Sequence, residues 1–184
     1  MTERMDGRDG DMHRDVQRFS PGVEAAALEI LGAIVPRLNP DDAFGRRSGD
    51  VGELHLAGGV FLGQLGPPSD TVRYGAILTD EKGAPFSGAD TYALTVPTGI
   101  VHDDGYFSVT IYSSETKLLI FNESGVYDRT SFTAVQNVDG TYIVTISPDG
   151  SGRNGIPSGI PLYGILRAYI PVQGAAMTVD VTND

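Results

Sequence analysis

The residues that could do chemistry are few, and the most suggestive pair is adjacent. Asp128 and Arg129 stand between β-rich runs, with Tyr127 and Phe132 close by. An arginine beside an aspartate lowers the carboxyl pKa, and its planar fork can then meet a carboxylate or sugar hydroxyls. In an enzyme, Asp128 would be the base or orienting group and Arg129 the anchor for an anionic group of the substrate. The plainer reading is a salt bridge or turn that pins the connection from Asn122 to Thr130 onto a sheet. The second candidate is the glycine-rich loop from Pro148 to Gly159, which carries Asp149, Ser151, Arg153 and Asn154. A long loop on a rigid scaffold can close over a pocket, or it can be a plain connection. Its spacing does not match a calcium loop, because Arg153 stands where an oxygen ligand is needed. Tyr106, Tyr112, Tyr163 and Tyr169 recur on strand-like runs. If they share a face they could stack on a sugar or another flat ligand; ordinary strand packing is the alternative.

Other chemistries leave no pattern. His13, His55 and His102 are far apart and lack paired ligand spacing, and His102 with Asp103 and Asp104 reads as a solvated turn rather than a metal site. No metal and no cofactor is expected. Nucleophile elbows, phosphate loops and dinucleotide fingerprints are missing despite 24 glycines, and without cysteine there is no disulfide, thiolate nucleophile or thiolate metal site. A formal charge of −11 argues against nucleic-acid phosphates and an anionic membrane face as partners.

The elements that must position these residues come in two textures. Hydrophobic residues at 40% and charged ones at 20% fit a soluble globular chain, and 184 residues suffice for one core. Residues 1–19 carry charges of both signs with little to bury, which predicts a flexible tail and no signal peptide. No apolar run approaches the roughly twenty residues that span a bilayer, and a cytoplasmic location is expected. Ser20 and Pro21 read as a helix start with Ser20 as N-cap. Val23, Ala26, Ala27, Ile30, Leu31 and Ile34 then form an apolar stripe that Pro36 ends. The stripe should dock on the domain or on another copy. Asn39 to Asp50 reads as a polar loop, and Val51 to Leu65 as a second helix weakened by Gly58, Gly59 and Gly63. Residues 20–66 are thus a helical extension packed on a β domain over 67–184.

Beyond Gly66-Pro67-Pro68 short β-rich runs alternate with turn residues, the pattern of a mainly β, mostly antiparallel sandwich. Strands are expected at Val72 to Thr79, Thr91 to Val96, Tyr106 to Ser113, Lys117 to Phe121, Ser131 to Val135, Thr141 to Ser147, Leu162 to Ile170 and, as an edge, Met177 to Val181. In the third of these, alternation sends Phe107, Val109 and Ile111 one way and Tyr106, Ser108, Thr110 and Tyr112 the other.

From about Leu54 to Pro171 the chain resembles the domain of unknown function 1214, usually the C-terminal half of bacterial proteins whose N-terminal half is the domain of unknown function 1254. The resemblance runs through Tyr74, then Asp80, Gly83, Pro85, Gly88, Tyr92 and Leu94, and the aromatic strand Tyr106 to Tyr112. It continues with Asn122, Asp128-Arg129, Asp139-Gly140, Pro148, Asn154, Pro157, Arg167, Tyr169 and Pro171. The family commonly has a tryptophan in the aromatic strand and another after the late asparagine, where this chain has Phe107 and Gly155. The 1254-type half is replaced by the tail and the Ser20 helix, as in a stand-alone version. The resemblance implies a jelly-roll-like sandwich and supplies no activity.

Two functional expectations follow. The first is a non-catalytic binding or structural module that self-associates and holds a small polar, carbohydrate-like ligand, with Asn122, Asn154, Tyr112, Arg167 and Tyr169 as candidate ligand-binding residues. The second is an enzyme acting on a small polar or anionic substrate between Asp128-Arg129 and the Asn154 loop.

Overall fold

The computed structural model of the chain describes residues 20–38, 44, 49–63 and 66–183. The tail expected over 1–19 and most of the polar loop expected over 39–50 lie outside the described residues.

Two helices come first. α1 (Pro21–Ile34) starts with Pro21 in its first turn, where a missing N–H is harmless. Ser20 caps it with its carbonyl, which accepts from Val23 and Glu24 at 2.9 and 3.1 Å, and not with its side chain. Pro36 lies within a 3-10 turn, Val35–Arg37, that tightens the end of the helix. α2 (Glu53–Gly63) forms in spite of its glycines. α1 leans on this turn and on α2 and buries no residue fully. Val23 and Ile30 remain about half exposed, at 53% and 52%.

The strands are β1 (Val72–Ile77), β2 (Tyr92–Val96), β3 (Val101–Ser113), β4 (Asp128–Thr130), β5 (Tyr142–Ser147), β6 (Ile156–Pro157), β7 (Leu162–Pro171) and β8 (Asp180–Asn183). They make two four-stranded sheets, in the orders β1-β7-β3-β4 and β6-β5-β2-β8. All pairs are antiparallel save β5 with β6, so the second sheet is mixed.

Alternation decides what each face does. Phe107, Val109 and Ile111 of β3 and Leu162, Leu166 and Ala168 of β7 meet Tyr92, Leu94, Val96, Val144 and Ile146 of the second sheet in one apolar cluster. Burying an aliphatic side chain of this kind stabilises the fold by about 1.5–3 kcal/mol before the entropy of ordering is set against it. Val72, Tyr163 and Ile165 are also buried but lie outside that cluster, on the opposite face of the first sheet.

Several expected elements move. Lys117 to Phe121 is not a strand: Lys117 takes a left-handed backbone, φ 61°, and only the single bridge Tyr112–Leu119 remains. Ser131 to Val135 is a turn, because the Thr130 hydroxyl accepts from Phe132 N and its carbonyl from Ala134 N, and the strand comes just before it as β4. The last edge forms at Asp180–Asn183 rather than at Met177 to Val181. β6 arises inside the loop expected from Pro148 to Gly159.

Candidate functional site

The register of three strands builds an aromatic face. Arg167 of β7 lies between Tyr74 of β1 and Ser108 of β3. Along β7 on the same face, Tyr163 pairs with Tyr112, and Tyr169 with Tyr106. The four tyrosines singled out in the sequence therefore share the side turned away from the core cluster, and Tyr74 joins them.

Their rings are organised. Tyr106 and Tyr169 stack at 4.3 Å and 8°, and Tyr112 and Tyr163 at 5.5 Å and 23°. Arg167 sits among them, donating from Nη1 to Thr110 Oγ1 at 3.2 Å and from Nη2 to the Tyr112 hydroxyl at 2.9 Å. Its guanidinium carbon is 5.9 Å from the Tyr74 ring centre and 5.7 Å from that of Tyr112, within cation–π range. Lys117 Nζ lies 5.1 Å from the Phe61 ring and 5.1 Å from the Tyr163 ring, and donates to Ser114 O at 2.6 Å. Phe44 packs on Tyr74 at 5.7 Å.

Burial sets the electrostatics. It pushes the Tyr163 hydroxyl up to about 12; Tyr112 adds to the rise and Arg167 opposes it. Burial likewise raises Tyr74 and Tyr169, again against Arg167. It lowers Lys117.

Two open hollows adjoin at Tyr112 and Leu119. One, of about 470 Å³, is bounded by Thr110, Tyr112, Leu119, Val126, Asp128 and Arg129 among others. The other, of about 490 Å³, is bounded by Tyr112, Lys117, Leu118 and Leu119. Tyr112 joins the arginine face to both.

Asp128 and Arg129 line the first hollow but do not work as neighbours. They lie in a strand rather than a turn, so alternation sends them to opposite sides: Asp128 pairs with outward-facing Thr110, Arg129 with inward-facing Val109. Arg129 Nη2 crosses to the Gly155 carbonyl at 2.7 Å, and its buried Nε has no acceptor.

The two asparagines are consumed by the backbone. Asn122 Nδ2 donates to Ile120 O and Val126 O, and its Oδ1 accepts from Ser124 Oγ and Val126 N. Asn154, at φ 51°, donates to Val135 O and Ile143 O and accepts from Val135 N. Arg153 adds bonds to Val135 O and Gln136 O. Residues 153–155 thus form a seam against the segment after β4. Gly155 is required there, since a Cβ would lie 1.9 Å from Gly150 O.

Of the candidates, the structure brings together Tyr112, Arg167 and Tyr169 on one face, with Asp128 at its edge, and sets Asn122 and Asn154 apart. Tyr74 and Lys117 were missed as site residues. Tyr74 was legible as an outward position once β1 was placed. Lys117 was hidden because it opens a run that read as a strand, which its left-handed backbone prevents. Among the described residues no group of acidic residues and histidines is arranged to hold a metal ion, and no helix is long and apolar enough to cross a membrane.

A family model described as "Protein of unknown function (DUF1214)" matches residues 71–173, more than half of the chain. The chain belongs to the DUF1214 family. The DUF1214 match covers every candidate residue and leaves α1 and α2 outside it. No curated protein matches the chain. The crystal structure of the VPA0106 protein from Vibrio parahaemolyticus is similar, at TM-score 0.65 and 24% identity, covering 91% of this chain and 46% of that one. An uncharacterised protein from Burkholderia cenocepacia aligns at TM-score 0.47 and 13% identity over 93% of this chain and 45% of its own. The DUF1214 chain thus spans less than half the length of either solved protein, and the first of them supports the fold alone.

Proposed function

We propose that this chain is a non-catalytic binding module that holds a small polar ligand, carbohydrate-like in having a flat face and hydroxyls, on the outer face of its first sheet. The observation that carries the reading is the clustering of Tyr74, Tyr112, Tyr163 and Arg167 beside two open hollows. Rings stacked on a rigid sheet give a ligand apolar contact at little entropic cost, and Arg167 with the tyrosine hydroxyls supplies direction.

The module also self-associates in this reading. Support comes from apolar side chains left at the surface: Val23, Leu28 and Ile30 on α1, and Phe121, Phe132 and Val138 around β4. The 20–66 segment belongs with the β domain, a reading supported by Phe44 on Tyr74 and Phe61 near Lys117. The two sheets fit a sandwich with jelly-roll-like winding; in its support, the chain changes sheet between β1 and β2, β2 and β3, β4 and β5, β6 and β7, and β7 and β8.

A native mass spectrum of freshly purified protein tests both parts. The expected result is a multimer that carries a small molecule, lost in Tyr112→Ala and Arg167→Gln variants. A bare monomer, together with no tyrosine-signal change on titration with sugars or small acids at millimolar concentration, would overturn the reading.

A further inference from the structure

The tyrosine face holds a cation for which the described residues provide no counter-ion. Arg167 is half-buried, and among the described residues no carboxylate pairs with it, in a protein of formal charge −11. Leaving a guanidinium partly desolvated and unpaired is costly, and the tyrosine rings and hydroxyls offset only part of that cost. One N–H of Nη1 and one of Nη2 go to Thr110 and Tyr112. The Tyr74 ring adds a cation–π contact to Arg167 at 5.9 Å. A guanidinium has five N–H donors in a planar fork, so donors remain for a planar acceptor.

The neighbourhood restricts what that acceptor is attached to. Tyr112, which takes one of the arginine bonds, is a wall of both hollows, and Leu118, Leu119 and Val126 give those walls apolar stretches beside the polar Thr110, Asp128, Arg129 and Lys117. At the other end of the Tyr112–Tyr163 stack sits Lys117, a second cation with no carboxylate partner among the described residues. The first hollow carries one acidic group, Asp128, exposed on the edge strand β4, and one basic group, Arg129, which is turned to the Gly155 carbonyl. By register it sits opposite Thr110, while Arg167 sits opposite Ser108, so the two are diagonal across β3. Arg167 thus stands on the β7 side of the face and Asp128 at the rim, while the rim's own cation, Arg129, is held by the Gly155 carbonyl.

We infer that the ligand is a small carboxylate with a flat body, its carboxylate received by the Arg167 fork and its body laid against Tyr112 and Leu119. This rests on the binding-face reading and adds the charge of the ligand to it. Asp128 orients the molecule by repelling the acidic end toward Arg167.

The test uses matched pairs that change charge and keep shape: glucuronate with glucose, and benzoate with benzamide. Binding to the full chain is followed by the NMR signals of the tyrosine rings. The expected result is at least ten-fold tighter binding of one acid than of its neutral mate, since hydrogen bonds to a charged pair exceed neutral ones. Added salt should weaken the acid and leave the neutral molecule unchanged. Arg167→Gln should abolish the preference, and Asp128→Asn should strengthen acid binding a few-fold. Should Arg167→Gln fail to fold, Arg167→Lys, which keeps the charge and loses the fork, must lie between wild type and no preference. Equal binding of acid and neutral mate, or a preference that survives Arg167→Gln, overturns the carboxylate and leaves the binding face standing. No response to any of the four probes at millimolar concentration overturns both.

Discussion

Asn154 clasps both main-chain polar groups of Val135: Val135 N donates to its Oδ1 at 2.7 Å, and its Nδ2 donates to the Val135 carbonyl at 3.1 Å. A third bond reaches Ile143 O. Asparagine is among the few residues that tolerate the left-handed backbone this position requires. Asn154→Ala should cost about 2–4 kcal/mol, from lost hydrogen bonds plus backbone strain. Asn154→Gly relieves the strain alone and should fall between the two. Urea denaturation measures both, and an alanine variant within about 0.5 kcal/mol of wild type would show the clasp to be idle.

Asp128 and Arg129 should behave as unrelated residues. Arg129→Gln loses the bond to Gly155 O and should destabilise by about 1–3 kcal/mol. Asp128→Asn, on the exposed side of β4, should stay within about 0.5 kcal/mol. A double-mutant cycle checks this, and a coupling above about 1 kcal/mol would restore the ion pair that sequence adjacency suggests.

Gly155 should admit no side chain. Gly155→Ala drives a Cβ into the Gly150 carbonyl, and a cost of at least about 2 kcal/mol is expected from the backbone shift. Gly155→Trp should fail to give a soluble folded chain. A folded tryptophan variant with native thermal stability would mean that this loop adopts other conformations readily.

Alkaline pH should loosen the first sheet. Tyr163 has a raised folded-state value, about 12 against an ordinary 10.0, so the folded protein holds its proton where the unfolded chain releases it. The stabilisation is complete below about pH 10 and is lost as pH climbs from 10 toward 12, by proton linkage. Tyr74 and Tyr169 shift the same way. Lys117, lowered by burial, acts in the opposite sense just below its ordinary value. Following tyrosinate absorbance and circular dichroism together, ionisation and unfolding should coincide; Tyr163→Phe should flatten the stability loss.

A chain that begins at Arg37 should change assembly size, because α1 carries Val23, Leu28 and Ile30 exposed. Light scattering that gives the full-length size for the truncated chain would contradict a role for α1 in association.

Legibility in the sequence followed periodicity. β3 and β7 were readable because alternating apolar residues, Phe107, Val109 and Ile111 among them, face one core. The same parity put Tyr106 and Tyr112 on one side of β3, but that Tyr163 and Tyr169 join them there needed the register of β3 with β7. What escaped detection depends on single residues acting against propensity. Lys117 adopts a left-handed backbone inside an apolar run, and the Thr130 hydroxyl turns the chain where Phe132 and Val135 suggested a strand. β6 needed a partner sheet before two residues in a glycine-rich loop could count as a strand. All but one of the Asn122 and Asn154 bonds go to main-chain groups, which no side-chain pattern advertises.

Because β7 supplies the core on one side and the tyrosine face on the other, reading frame along that strand governs both at once. Inserting or deleting one residue between Leu162 and Tyr169 would carry Leu166 outward and Arg167 inward in the same step. Descendants of this chain can therefore retune the face by exchanging side chains, but length changes are confined to the connecting loops.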